Sequence, residues 1–457
     1  MLDTKVHAYL NDHRDRHLSQ LVELLRFASI ANNDDDQCPL CVAWLVEYLS
    51  EIGLAARILP TDGKDMVFGE SPPKPGRPTL LIYGHYDVQP PDPLDQWTTD
   101  PFDPTVRDGN IYARGASDDK GQFLLHLQAV EAWLQATGDL PVNVTVLLEG
   151  EEEIGSPSLE PFVLAHKDLL SADAAVISDS AFFAPGAPSI LTALRGLAYV
   201  ELTLHGPKAD VHSGLHGGVV ANPVNALAAM IGAMHDGDGR VALPGFYDDL
   251  APPTEAELAD WQALPFDEAD LARSLGVAAL GGGERDLPPL VRAWARPTLD
   301  VNGIIGGYTA PGAKTIIPSS ATAKISMRLV ADQDPQTITD GFRQFVHKHT
   351  PVGIRAEVDI HSTARPVLVP TDGPAVQAAQ AAMTEAFGRK AVFIRCGASV
   401  PVTEVVQRML GLDAALMGFG LPDDNPHSPD EKFSLEHFHK GAIASAAFLG
   451  ELAQRLR

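Results

Sequence analysis

Only three cysteines stand in 457 residues, and positive charge is scarce, with 34 Lys and Arg against 60 Asp and Glu. No apolar run approaches the ~20 residues that a membrane-spanning helix needs. Each shortage excludes something. Three cysteines cannot build a disulfide framework, and the C-x-x-C of Cys38 and Cys41 in DQCPLCVAWLVEYL has no second pair with which to hold a structural zinc. No thioredoxin-like strand precedes it, so the stretch reads as a helix start with buried thiols. A formal charge of -26 repels phosphate backbones and anionic lipid, so neither nucleic acid nor a membrane is an expected partner. The N-terminus, MLDTKVHAYLNDHRDRH, is too charged for a signal peptide, and the expected compartment is the cytoplasm.

What the chain does have is enough apolar material, 45% of residues, to build the cores of two or three domains. Helical patterns cover roughly residues 3–30, 38–52 and 119–136, alternating with short apolar runs, TLLIYG, VNVTVLL and AAVIS, of the kind found in strands buried on both faces of a mostly parallel sheet. After about Leu191 the pattern changes. LAYVELTLHG and ATAKISMRLV alternate apolar and polar residues like half-exposed antiparallel strands, with a segment rich in Pro, Gly and Asp between them. From about Pro366 the first style returns in a helix (AVQAAQAAMTEAFG), a strand (AALMGFG) and a closing helix. The expected architecture is an α/β domain, residues 1–190 and 366–457, interrupted by an inserted α+β domain, residues 191–365. His13 and His17 in HRDRH lack the Glu of H-E-x-x-H and read as solvated helix surface, and Asp34 to Asp36 read as a solvated loop.

The chemistry collects at strand ends. In open α/β sheets the site lies outside the carboxyl ends of the strands, where residues distant in sequence converge. His85 follows TLLIYG, where the chain is expected to turn at Gly84; Glu152 and Glu153 follow VNVTVLLEGE; Asp179 follows AAVIS; His427 follows AALMGFG through a loop; Asp118 opens the helix in ARGASDDKGQFLLHLQ. Singly, each has a bland explanation as a charge run, an N-cap or a loop residue. Recurring at successive strand ends, they point to a metal site. The inventory of three carboxylates, two histidines and a further glutamate suits two divalent, zinc-like ions, with one carboxylate bridging and a base beside a bridging water. Asp87 is placed to hold the ring of His85. No G-x-S-x-G elbow is present, and PGAKT lacks the spacing of a phosphate loop.

Nine stretches in order, GHYDVQP, ARGASDDKG, LLEGEEEIGSPS, ISDS, DVHSGLHGG, NGIIGGYTAPGAKTIIP, SMRLVADQDP, RCGASVPV and GFGLPDDNPHSPDEKF, resemble the M20 metallopeptidases, within them the dipeptidases related to carnosine dipeptidase. The resemblance implies a di-metal peptidase domain with an inserted lid and dimerisation domain. It implies hydrolysis of dipeptides or short peptides by a homodimer, through a water bridging two ions, zinc first with manganese or cobalt as alternatives. His85 and Asp179 would hold one ion, Glu153 and His427 the other, and Asp118 would bridge them and precede a cis peptide to Asp119. Glu152 would be the general base. Arg328 and the GAKTIIP segment, with Lys314 and Thr315, would hold the substrate's carboxylate, and Arg395 would make a further contact. His212 would reach from the partner subunit to polarise the scissile carbonyl. Family members often read R-E-G-G-S where this chain has RCGAS, so Cys396 and Ala398 set the pocket apart. The same metals also serve N-acyl amino acid deacylases and desuccinylases, the alternative expectation. An inactive binding protein of this fold would have no need of Glu152.

Overall fold

The computed structural model describes residues 1–32, 37–397 and 401–456, so Asp34 to Asp36 and Ala398 lie outside the described residues. The chain forms two compact units. One is built from Met1–Thr192, Val369–Ile394 and the C-terminal segment, the other from Ala193–Leu368 with Arg395 and its neighbours.

The first unit is organised by four parallel strands in the spatial order Asn143–Glu149, Thr79–His85, Ala174–Ile177 and Ala414–Leu416. Antiparallel strands Met66–Glu70 and Ala55–Leu59 extend one side. The parallel strands are apolar on both faces because helices cover both; Val144, Val146, Ile82 and Val176 are all buried. Helix Lys120–Thr137 packs against Thr79–His85 and against the closing helix Leu435–Arg455, which in turn lies on Pro374–Phe387. The sheet is thus α/β and mostly parallel at its centre.

Three details differ from the sequence reading. The N-terminal helical stretch breaks at His13 into Thr4–Asp12 and Arg14–Leu25. His17 is buried rather than solvated: it faces helix Lys120–Thr137, where its Nε2 lies 3.7 Å from Glu131 Oε2 and its carbonyl accepts from Gln128 Nε2 at 3.1 Å. Gly84 does not turn the chain, since the strand runs through to His85. Its lack of a side chain serves packing instead: a Cβ there would sit 2.4 Å from the Cβ of Phe123, so the helix can press directly on the strand that carries His85. Cys38 and Cys41 are buried in the first turn of Cys38–Glu51.

The second unit is a four-stranded antiparallel sheet in the order Thr298–Gly306, Ser320–Leu329, Gly196–His205, Arg355–Ala364. Alternate residues of Gly196–His205 and Ser320–Leu329 are buried, the period-2 pattern of a sheet with one covered face. Helices Pro223–Gly232 and Pro335–His349 cover it, with Leu227, Met230, Phe342 and Phe345 packed onto Val200, Leu202 and Ile325.

Candidate metal centre

At the carboxyl ends of the parallel strands the first unit gathers two groups of metal-ligating atoms. One is His85, Glu152 and Asp179, the other Asp118, Glu153 and His427, with the atoms of each group within 4.8 Å of one another. Asp118 joins them: its Oδ1 lies 3.1 Å from His85 Nε2 and its Oδ2 lies 2.9 Å from His427 Nε2. Glu153 Oε2 lies 3.2 Å from the same His427 nitrogen.

The backbone makes this convergence possible. His85 ends its strand, and Asp87, fully buried two residues on, places Oδ1 3.4 Å from His85 Nδ1. Asp87 also accepts the backbone N–H groups of Glu152 at 3.3 Å and Glu153 at 3.0 Å, so one carboxylate aligns residues from two strand ends. The Asp118–Asp119 peptide is cis, and Asp119 Oδ2 accepts from the N–H of His85 at 3.2 Å. His427 has a left-handed backbone, φ 58°, in a loop tied down by Asp424. That carboxylate accepts from Leu421 N at 2.7 Å, from Lys432 Nζ at 2.8 Å and from Ser117 Oγ at 3.2 Å.

Sequence reasoning missed Glu431. It is fully buried and takes the N–H groups of Ser117 at 3.0 Å and Asp118 at 3.2 Å on one oxygen, and Gly115 N at 3.1 Å with Arg114 Nη1 at 2.6 Å on the other. This holds the turn that presents Asp118. Gln89 was missed too; its Nε2 donates to Glu153 Oε2 at 2.9 Å. The one signal for Glu431 was its place in the stretch that carries His427.

Crowded, desolvated carboxylates decide the electrostatics. Burial, with Asp179, Asp118 and Glu153 nearby, pushes Glu152 up to about 8, and burial beside Asp118 pushes Asp179 up to about 7. Burial would raise Asp118 as well, but hydrogen bonds from His427 and His85 hold it well below the usual carboxylate range. Those to Asp118 and Glu153 raise His427 to about 10. His85 Nε2 is fully buried and faces Asp118 Oδ1 at 3.1 Å. A buried nitrogen facing several carboxylates, with oxygen and nitrogen donors only, fits divalent cations of the zinc or manganese kind.

The remaining expected site residues lie in the second unit. His212 pairs with Ile316 in a two-stranded ribbon, is exposed, and accepts from Gly214 N at 2.9 Å on Nδ1. Thr315 accepts from Ser213 N at 3.0 Å through its carbonyl, and Lys314 Nζ lies 3.9 Å from Asp210 Oδ2, so the ribbon brings these three together. Arg328 is half-buried on Ser320–Leu329, opposite Thr298 and Leu197. Arg395 is not an open cation: it is 4% exposed, and its Nε and Nη2 engage both oxygens of Glu257 at 2.9 and 3.0 Å.

A pH dependence follows for the protein freed of metal. The folded state raises Asp179, Glu152 and His427 above their ordinary values, so it binds more protons than the unfolded chain and loses stability as pH climbs from about 4 towards 10. Metal-stripped protein should therefore melt at a lower temperature at pH 8.5 than at pH 6 by differential scanning calorimetry, and divalent metal should remove most of the difference; equal melting of the stripped protein at both pH values would contradict it.

The sequence profile of peptidase family M20/M25/M40 matches residues 81–451. The chain is 33% identical to the Cys-Gly metallodipeptidase dug1 of Schizosaccharomyces pombe over 406 residues, covering 86% of this chain and 84% of that one. Its fold is similar to that of human carnosine dipeptidase 1, with a TM-score of 0.76 at 30% identity over 99% of this chain and 100% of the other. It is also similar to an M20 metallo-carboxypeptidase of Sulfolobus solfataricus, with a TM-score of 0.82 at 33% identity over 96% and 99%. A family match across most of the chain and relatives of this similarity lead to one conclusion: the chain belongs to the M20 peptidases, as a metallopeptidase of the dipeptidase branch.

Proposed function

We propose that the chain hydrolyses the peptide bond of dipeptides and short peptides at the centre built around Asp118, with two divalent ions, zinc first and manganese or cobalt as alternatives. The observation that supports it most is the division of Asp118 between two histidines, one oxygen towards each. His85 and Asp179 would hold one ion, Glu153 and His427 the other, with Asp118 between them. Bound there, the ions would lower the pKa of water towards ~7 and polarise a carbonyl oxygen.

The chain's own groups do the rest. Glu152, whose carboxylate lies beside the ligand atoms of His85 and Asp179, takes a proton from the attacking water and returns it to the leaving amine. Asp87 holds the Nδ1 side of His85 and keeps the other nitrogen for an ion. Arg328, which the pairing of Arg395 with Glu257 leaves as the more open guanidinium, binds the substrate's carboxylate, with Lys314 and Thr315 beside His212 as further contacts. Dipeptides are preferred to acyl amino acids as substrates because the names of relatives at 30% identity and above are those of dipeptidases and a carboxypeptidase. We assign the enzyme to the cytoplasm, where its buried Cys38 and Cys41 stay reduced.

Glu152→Ala should keep the wild-type metal content yet lose turnover by ~10²–10⁴-fold against a dipeptide panel, the usual contribution of a positioned base. Glu153→Ala should lose metal. If elemental analysis of the two variants gave the reverse, the roles of the two glutamates would be exchanged.

The second subunit is part of the proposal: His212 acts on the substrate in the partner's site of a homodimer. His212→Ala and Glu152→Ala homodimers should then both be nearly inactive, while co-expression should restore about a quarter of wild-type activity, since half of randomly paired dimers are mixed and each has one whole site of two. Mixed dimers shown by mass spectrometry with no recovered activity would rule out action across the interface.

A further inference from the structure

The second unit contains a cavity of about 620 Å³, the size of a small-molecule site, that the metal chemistry leaves unused. Much of its wall is apolar, with Val241, Leu271, Val277 and Leu299. Among the charged residues that line it are Arg195 and Asp300, neither of which has an ionic partner within 4 Å among the described residues. Arg195 is only 8% exposed. Its Nη2 donates to the carbonyls of Arg292 and Arg296 at 2.8 and 2.6 Å, and among the described residues its Nε has no partner. Those carbonyls fix the guanidinium but carry no full charge; burial and the nearby Arg328 disfavour its charge, which Asp300 offsets only in part. A buried cation held by neutral acceptors is costly and is relieved by an anion. Of the other two lining arginines, Arg296 is already spent on Glu284, and Arg292 turns its Nη1 to the carbonyls of Leu280 and Gly282. Asp300 is exposed, and among the described residues its carboxylate accepts only from Thr298 Oγ1, at 3.2 Å.

We propose that this cavity binds a free apolar α-amino acid, its carboxylate on Arg195, its ammonium on Asp300 and its side chain against the apolar wall. One compact zwitterion satisfies both charges at once, which neither a simple acid nor a simple amine does. The choice of an amino acid rests on the reading of the chain as a peptidase, since amino acids are what peptide hydrolysis releases; the site itself rests on the cavity.

Isothermal titration of the metal-loaded enzyme with L-leucine tests it. Leucine should bind, and leucinamide and 4-methylpentanoate, each lacking one charge, should bind about tenfold or more weakly. Asp300→Asn, an exposed change that leaves folding intact, should weaken leucine by a similar factor, as should Arg195→Met. Leu280→Trp, which fills the cavity from its wall, should abolish leucine binding and leave dipeptide hydrolysis unchanged. The proposal is overturned if leucine does not bind, if leucinamide matches leucine, if Asp300→Asn or Leu280→Trp binds leucine like wild type, or if stripping the metal with EDTA removes leucine binding. Leucine binding by an enzyme inactive on every dipeptide would overturn the assigned activity and leave this site standing.

Discussion

Carboxylates that repel one another at the carboxyl end of a parallel sheet are the constraint on which the first unit depends. Asp118, Glu152, Glu153 and Asp179 converge in a buried region, and the folded chain alone can meet the resulting charge only by taking up protons or by leaning on two histidines. Cations that complete such a cluster relieve its repulsion, and the surrounding structure is arranged to keep it in place. Asp87 holds two strand ends, Glu431 holds the turn before Asp118, and Asp424 holds the loop before His427. Three further carboxylates thus accept backbone N–H groups, with Arg114 against Glu431 and Lys432 against Asp424, which offsets the cost of burying them.

The parallel sheet explains why distant residues meet. His85, Glu153 and Asp179 each follow a strand that runs in the same direction, so their loops emerge at one edge, and His427 reaches that edge from Ala414–Leu416. Gly84 lets helix Lys120–Thr137 approach the central strand so closely that Asp119 bonds to the N–H of His85. Fold and chemistry are coupled through these few contacts. A change in how the helix sits on the strand would move Asp118 relative to His85.

Much of this was legible in the sequence because it follows from local pattern. Short apolar strands ending in His or acidic residues are visible without a structure, and their direction follows from the α/β alternation. The alternating burial of Gly196–His205 was equally plain in LAYVELTLHG. What could not be read depends on tertiary partners. His17 looked solvated because Glu131 and Gln128, which cover it, lie more than a hundred residues away. Arg395 looked available because its partner Glu257 stands in a region without a motif. Glu431 showed no periodicity or spacing that separates a buried acceptor from an ordinary loop acid, and Gly84 resembled a turn residue because a close helix contact and a turn ask for the same missing side chain.

The requirement for cations is most directly tested by counting them. Purified protein stripped with chelator, titrated with zinc and analysed by elemental mass spectrometry after gel filtration should retain two ions per chain. Retention of a single ion, or of two with Asp118 replaced by Ala, would contradict a centre in which that carboxylate joins two metal positions.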